Sequence, residues 1–257
     1  MKMSARSRSD TLIEVEGASF TYPDGTRALN KVSVKVWKGN VVAITGANGS
    51  GKSTLLMLMA GLLEPQEGIV KFRGIDVRKL GYEVRREIGI VFQDPDDQLF
   101  NPTVEEELLF TLVQLGLSEG ERAKRVEEVA ELLGIKHLLR RPTFALSYGE
   151  KRRVALASIL VYDPEYLLLD EPTANLDARS AAQFTEVICN ARAGGKGVLV
   201  ATQDVSLALA LADRVYVLHN GSLVWEGEKP PQSLLESYGL LQRVTPCGRR
   251  PDRAPPS

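Results

Sequence analysis

The residues best placed to do chemistry fall in three short segments. Gly46 to Ser53 read GANGSGKS, with an apolar run before them and a helical pattern after. Glycines let successive amides face an anion, and a helix N-terminus behind them adds a favourable dipole. Such a loop cradles polyphosphate, with Gly46, Asn48, Gly49, Ser50, Gly51 and Thr54 supplying backbone or side-chain contacts. Lys52 should reach the outer phosphates, and the Ser53 hydroxyl should ligate Mg²⁺. Leu167 to Glu171 read LLLDE. Asp170 then ends a buried strand, where it can hold the metal through water, and Glu171 can polarise an attacking water. Leu146 to Glu150 read LSYGE. Ser147 can cap the helix running on through KRRVAL, and Gly149 leaves room for a phosphate beside the backbone.

These segments need a scaffold. Runs rich in Val and Ile alternate with helical patterns, which predicts an α/β fold with a mostly parallel sheet between helices. Val41–Thr45, Tyr166–Leu169, Gly197–Ala201 and Val215–Leu218 read as buried strands, with helices at Lys52–Ala60, Ala178–Ala191 and Ser206–Ala212. Leu12–Val36, Ile69–Phe72 and Ile88–Phe92 look like shorter alternating strands of an antiparallel side sheet. Residues 94–160 turn helical, with capping boxes at Thr103–Glu106 and Ser118–Glu121, and form an inserted subdomain. The reading places a flexible N-terminus at 1–10, one domain at 11–243 and a disordered Pro/Arg-rich tail at 244–257.

Composition narrows the function. The 257 residues carry 32 basic and 33 acidic side chains, which gives no support for a nucleic-acid partner. The basic clusters Arg85–Arg86, Arg140–Arg141 and Lys151–Arg153 read as solvated helix faces. Cys189 and Cys247 share no metal spacing, which fits a reducing compartment. No run of about 18 uncharged apolar residues exists, and Asp213 and Arg214 interrupt the richest candidate, Val205–Leu218. The polar residues 1–10 lack a signal-peptide core. Work at a membrane would require docking on another chain, at its cytoplasmic face.

Together the three segments resemble the ATP-binding-cassette ATPases, from about Leu12 to Gly239. The resemblance implies a P-loop NTPase with a RecA-like sheet, binding ATP and Mg²⁺. It implies that Tyr22 stacks on adenine, although Tyr22 could equally be an ordinary strand residue. It places Gln93 against the metal, the attacking water and the γ-phosphate, and Asp177 at the end of the loop after Glu171. It also implies that the Ser147 segment faces ATP held by a second subunit, alike or homologous. A GTPase reading fails, because Asn30-Lys31 lacks the aspartate of a guanine-binding motif.

Two departures stand out. The family's usual Leu-Ser-Gly-Gly-Gln ends here in Glu150, which is expected to fold back on Ser147 as a capping box. The family's histidine after the strand Gly197–Ala201 is replaced by Gln203, which cannot carry charge. Gln203 either substitutes adequately or leaves a slow site, with a partner hydrolysing at the other. The stretch from Asp94 to Glu107, DPDDQLFNPTVEEE, resembles the energy-coupling-factor group, which powers uptake of cobalt, nickel or vitamins. That likeness implies a membrane coupling subunit, gripped near Gln93–Phe100, and a separate substrate-capture subunit. The alternatives are another importer ATPase, a soluble cassette ATPase and a non-hydrolysing scaffold.

Overall fold

The computed structural model describes residues 11–241. The flexible and disordered ends expected at 1–10 and 244–257 lie outside the described residues.

Two sheets frame the molecule. β1 (Thr11–Thr21), β2 (Arg27–Trp37), β4 (Glu67–Phe72) and β5 (Ile75–Asp76) form an antiparallel side sheet in the order β2-β1-β4-β5. Strand β2 alternates exposed and buried residues along most of its length, as a sheet packed on one face should. The larger sheet runs β10-β9-β3-β8-β7-β6. Its strands are β3 (Val41–Thr45), β6 (Ile88–Val91), β7 (Tyr166–Asp170), β8 (Gly197–Thr202), β9 (Arg214–His219) and β10 (Ser222–Gly227). β3, β6, β7, β8 and β9 are parallel, and β10 closes one edge antiparallel to β9. Every residue of β3, β7 and β8 is buried, because both faces of the sheet are covered.

Alternation along these strands divides the core. Leu168 and Leu199 join Leu55, Leu56 and Met59 of α1 (Lys52–Met59) and the inner face of the side sheet. Leu167, Leu169, Val198 and Val200 point the other way, into α4 (Val104–Gln114), α5 (Glu119–Leu132), α6 (Tyr148–Leu160) and α7 (Ala178–Ala193). Burying each such side chain is worth roughly 1.5–3 kcal/mol, which fixes the strand ends that carry the chemistry. Short helices α2 (Val77–Leu80), α3 (Tyr82–Glu87), α8 (Val205–Leu211) and α9 (Gln232–Ser237) complete the chain.

Between Asp94 and Leu160 the chain is helical, and both expected capping boxes form at Thr103–Glu106 and Ser118–Glu121. One strand is not where its pattern suggested. Ile88–Val91 pairs parallel with β7 in the main sheet rather than joining the side sheet. Ile88, Gly89 and Val91 are all buried, so the strand is enclosed and not half-exposed. The Lys151–Arg153 cluster is not a solvated face either. Arg152 is fully buried, and Lys151 and Arg153 are partly so. Among the described residues no helix is long and apolar enough to cross a membrane.

Candidate nucleotide site

β3 delivers the loop and α1 anchors it. Gly51 is the N-cap of α1 with φ 102°, a left-handed conformation that glycine adopts at little cost. A Cβ there would also stand 2.4 Å from the Ala28 carbonyl. Gly46 is needed for space: its Cβ would lie 2.3 Å from the Leu218 carbonyl. The Lys52 ammonium donates to the carbonyls of Gly46 at 2.9 Å and Ala47 at 3.2 Å and lies 3.5 Å from Glu171 Oε1. It therefore stands between the loop and the carboxylate that follows β7.

That carboxylate is tightly held. Glu171 is a non-glycine residue at φ 45°, a conformation costing about 1–3 kcal/mol unless its surroundings enforce it. They do so from four sides. Its N–H donates to the Ala201 carbonyl at 2.8 Å, and its own carbonyl accepts from Arg152 Nη2 at 2.7 Å. Its carboxylate accepts from Thr202 Oγ1 at 3.0 Å and from the Gln203 N–H at 2.9 Å. Strain satisfied so completely marks a group whose direction matters.

Asp170, one residue earlier, is buried and raised above the ordinary aspartate range, chiefly by loss of solvent, against a hydrogen bond with Ser53. Its Oδ1 is buried with no hydrogen-bond partner. A cation would relieve both the unpaired oxygen and the buried charge. Ser53 and Gln93 stand in the same wall, and among the described residues no cluster of His, Cys, Asp and Glu forms a protein-only metal cage. One carboxylate, one hydroxyl and an amide suit Mg²⁺, which keeps waters and substrate phosphate as its remaining ligands.

A cavity of about 330 Å³ gathers these groups. Its wall includes Tyr22, Asn48, Gly49, Gly51, Lys52, Ser53, Thr54, Gln93, Asp170 and Glu171. The Tyr22 hydroxyl hydrogen-bonds Thr54 Oγ1 at 3.1 Å, and its ring meets Phe20 edge-on at 5.0 Å between centroids, which together fix the ring in the cavity wall. Gly46 and Ser50 shape the loop from behind. Thr26, Arg27 and Ala28 also line the cavity, and the sequence reading missed them. The signal was available: a tight turn after Tyr22 brings Arg27 opposite Thr21 in the β1–β2 pair.

Six predicted residues sit outside this wall: Gly46 and Ser50 of the loop, and Gln203, Asp177, Ser147 and Gly149. Gln203 is exposed, and its observed contact with the site is through its backbone N–H. Asp177 caps α7, accepting from the Ser180 N–H at 2.9 Å. Ser147 caps α6, and Glu150 completes the box by accepting from the Ser147 N–H at 2.7 Å and pairing with Arg141 at 3.2 Å. These bonds, led by the Ser147 N–H, hold the Glu150 carboxyl below its ordinary range. Gly149, in the first turn of α6, has a φ outside the left-handed region, and a Cβ on it would meet open space.

The ABC transporter family model matches residues 29–174, which contain the phosphate loop, Gln93, the Ser147 segment and the Asp170–Glu171 pair. The chain belongs to the ABC transporter ATP-binding family. It is 41% identical to the energy-coupling factor transporter ATP-binding protein EcfA of Methanocaldococcus jannaschii, over 84% of this chain and 78% of that protein. The solved structure of cbiO1 from Clostridium perfringens, part of the ABC transporter complex cbiONQ, superposes with a TM-score of 0.76 at 37% identity, over 90% of this chain and 93% of that one. A dimeric ATP-binding cassette in a post-hydrolysis state with ADP and Pi superposes at 0.78 with 29% identity, over 85% of this chain and all of that one. Family membership makes the chain an ATP-binding subunit of an ABC transporter.

Proposed function

We propose that this chain hydrolyses ATP as one of two ATPase subunits of an energy-coupling-factor type importer, driving uptake of a metal ion or vitamin. The observation that carries the hydrolytic reading is the convergence of Lys52, Gln93, Asp170 and Glu171 on one cavity, with Glu171 oriented by Thr202 and the Gln203 N–H. In this reading Lys52 turns to the β- and γ-phosphates, and loop amides of Asn48 to Gly51 cradle the chain of phosphates. Ser53, Asp170 and Gln93 would hold Mg²⁺, which would offset negative charge developing on the phosphates. Glu171 aligns and polarises the water that attacks the γ-phosphorus, and Tyr22 carries the adenine ring.

ATP is sandwiched between two subunits, alike or homologous, with Ser147 and Gly149 of one facing the γ-phosphate on the other. Gly149 supports this: neither backbone conformation nor packing within the chain calls for glycine there. The membrane coupling subunit docks beside Gln93–Phe100. There Phe100 and Phe110 stack edge-to-face while both are exposed, and Phe144 is 81% exposed. Large exposed apolar groups of this kind mark interaction surfaces. The protein thus works peripherally at the cytoplasmic face, with a separate membrane subunit capturing substrate.

The test is Mg²⁺-ATP turnover of the complex purified in mild detergent. Glu171→Gln in every site that turns over should remove nearly all activity while ATP still binds. Unchanged turnover would overturn the assignment of Glu171. Gln203 further implies a slow site on this chain's own loop, since loss of a well-placed transition-state donor costs roughly 10²–10³ in rate. Gln203→His should then raise turnover, and no gain would refute the slow-site reading.

A further inference from the structure

Arg152 is the largest of the fully buried side chains, and what it touches is unusual. Its Nη1 donates to the carbonyls of Phe92 at 2.8 Å and Gln93 at 2.7 Å. Its Nη2 donates to the Glu171 carbonyl at 2.7 Å, and its Nε is buried without a partner. One guanidinium on α6 therefore spans the loop that presents Gln93 and the strained peptide that presents Glu171. Simple helix packing needs no charge here, since burying a guanidinium is costly and an apolar side chain would fill the same space.

The loop itself belongs mechanically to α6. Tyr148, the first residue of α6, donates through its hydroxyl to the Gln93 carbonyl at 3.3 Å, and Lys151 pairs with Asp96 at 2.5 Å. Gln98 accepts from the Phe92 N–H at 3.2 Å and donates to Ala155 and Ser158 of α6. Glu171, by contrast, belongs to the sheet, following β7 and bonded to Ala201 in β8. Arg152 bonds the helix-and-loop block to the peptide that follows β7.

We propose that Arg152 is a positioning residue for hydrolysis, holding Gln93 and Glu171 in register with the helix whose N-terminus carries Ser147 and Gly149. The proposal rests on the reading of Glu171 and Gln93 given above. A shift of α6 displaces the Arg152 guanidinium, and with it the two backbone carbonyls that aim Gln93 and Glu171. The site is thereby set only when α6 is in place. A misplacement of about 1 Å at a reacting group can cost about 10²-fold.

The experiment compares Arg152→Gln and Arg152→Lys with wild type in the detergent-purified complex, measuring kcat and KM for ATP, and adds Gln93→Ala alone and combined with Arg152→Gln. A kcat about 10–100-fold lower with KM within about threefold is expected, with Lys recovering part of the loss. Because both residues act on one geometry, the double variant should be little worse than the worse single. A kcat within twofold of wild type would overturn the proposal, as would single effects that multiply. Should Arg152→Gln fail to assemble, the conservative Lys variant carries the same kcat-against-KM test. Glu171→Gln in the same assay separates the two readings: active Glu171→Gln sinks the water-polarising role of Glu171, whereas inactive Glu171→Gln with normal Arg152 variants sinks only this one.

Discussion

Gly149→Ala separates folding from function more sharply than any change to a charged residue. Gly149 is the second residue of α6, in the first turn behind the Ser147–Glu150 capping box. A methyl group there would meet no atom within 4 Å, and φ lies outside the left-handed region. Alanine should therefore stabilise the isolated fold, since Gly to Ala in a helix is worth about 0.5–1 kcal/mol. The first turn sits at the lower end of that range. For a domain of this size about 1 kcal/mol moves Tm by roughly 2–4 °C, so the expected rise is about 1–3 °C. Function should move the other way. If a second subunit's γ-phosphate approaches this backbone, the methyl group holds it off by about 1 Å, enough to cost about 10²-fold in turnover. Differential scanning fluorimetry of the chain and Mg²⁺-ATP turnover of the assembled complex measure the two effects. Turnover within twofold of wild type would refute the phosphate-facing role of Gly149, and a fall of several degrees in Tm would refute the packing argument.

Other outcomes follow from the same geometry. Asp170→Asn removes a buried charge that the fold disfavours, so the chain's Tm without metal should hold or rise. The added stabilisation by Mg²⁺ with a slowly hydrolysed ATP analogue, about 2.7 kcal/mol at a hundred times Kd in wild type, should shrink. A Mg²⁺ response equal to wild type would remove Asp170 from the metal site. The Glu150 carboxyl sits below its ordinary value of 4.5 in the folded chain, so its stabilisation is full above that value and is lost as pH falls through the lower folded one. Urea titrations should therefore show wild type and Glu150→Gln differing by a constant amount above about pH 5.5 and converging in acid. A gap that widens in acid would contradict the capping role. At neutral pH Glu150→Gln should leave ATP-driven subunit pairing nearly unchanged, and a sharp gain in pairing affinity would mean that Glu150 repels the phosphate.

How far the sequence could be read depended on whether the signal was local. The loop Gly46–Ser53 and the run ending in Asp170–Glu171 were legible because each carries its own strand, turn and chemistry within a few residues. The capping boxes at Ser118 and Ser147 were legible for the same reason. Ile88–Val91 was misplaced because a short apolar run does not reveal whether one face or both are covered, and here β7 and α6 enclose it. Arg152 was read as a solvated residue of a basic cluster. Its burial depends on carbonyls from Phe92, Gln93 and Glu171, brought together by the fold from distant stretches of chain. Gln203 marks the opposite limit: its identity drew attention to its side chain, while the observed contact with Glu171 is the backbone N–H.

If this ATPase drives a membrane importer together with a second ATPase subunit, the three should leave the membrane as one assembly. Affinity purification of the full chain from mild-detergent extracts of its own cells, with co-purifying proteins identified by mass spectrometry, tests it most directly. A multi-span membrane protein, ATPase subunits in a ratio of two per complex, and a small membrane protein that captures substrate are the expected partners. Recovery with soluble proteins alone, under conditions that keep other membrane complexes intact, would contradict it.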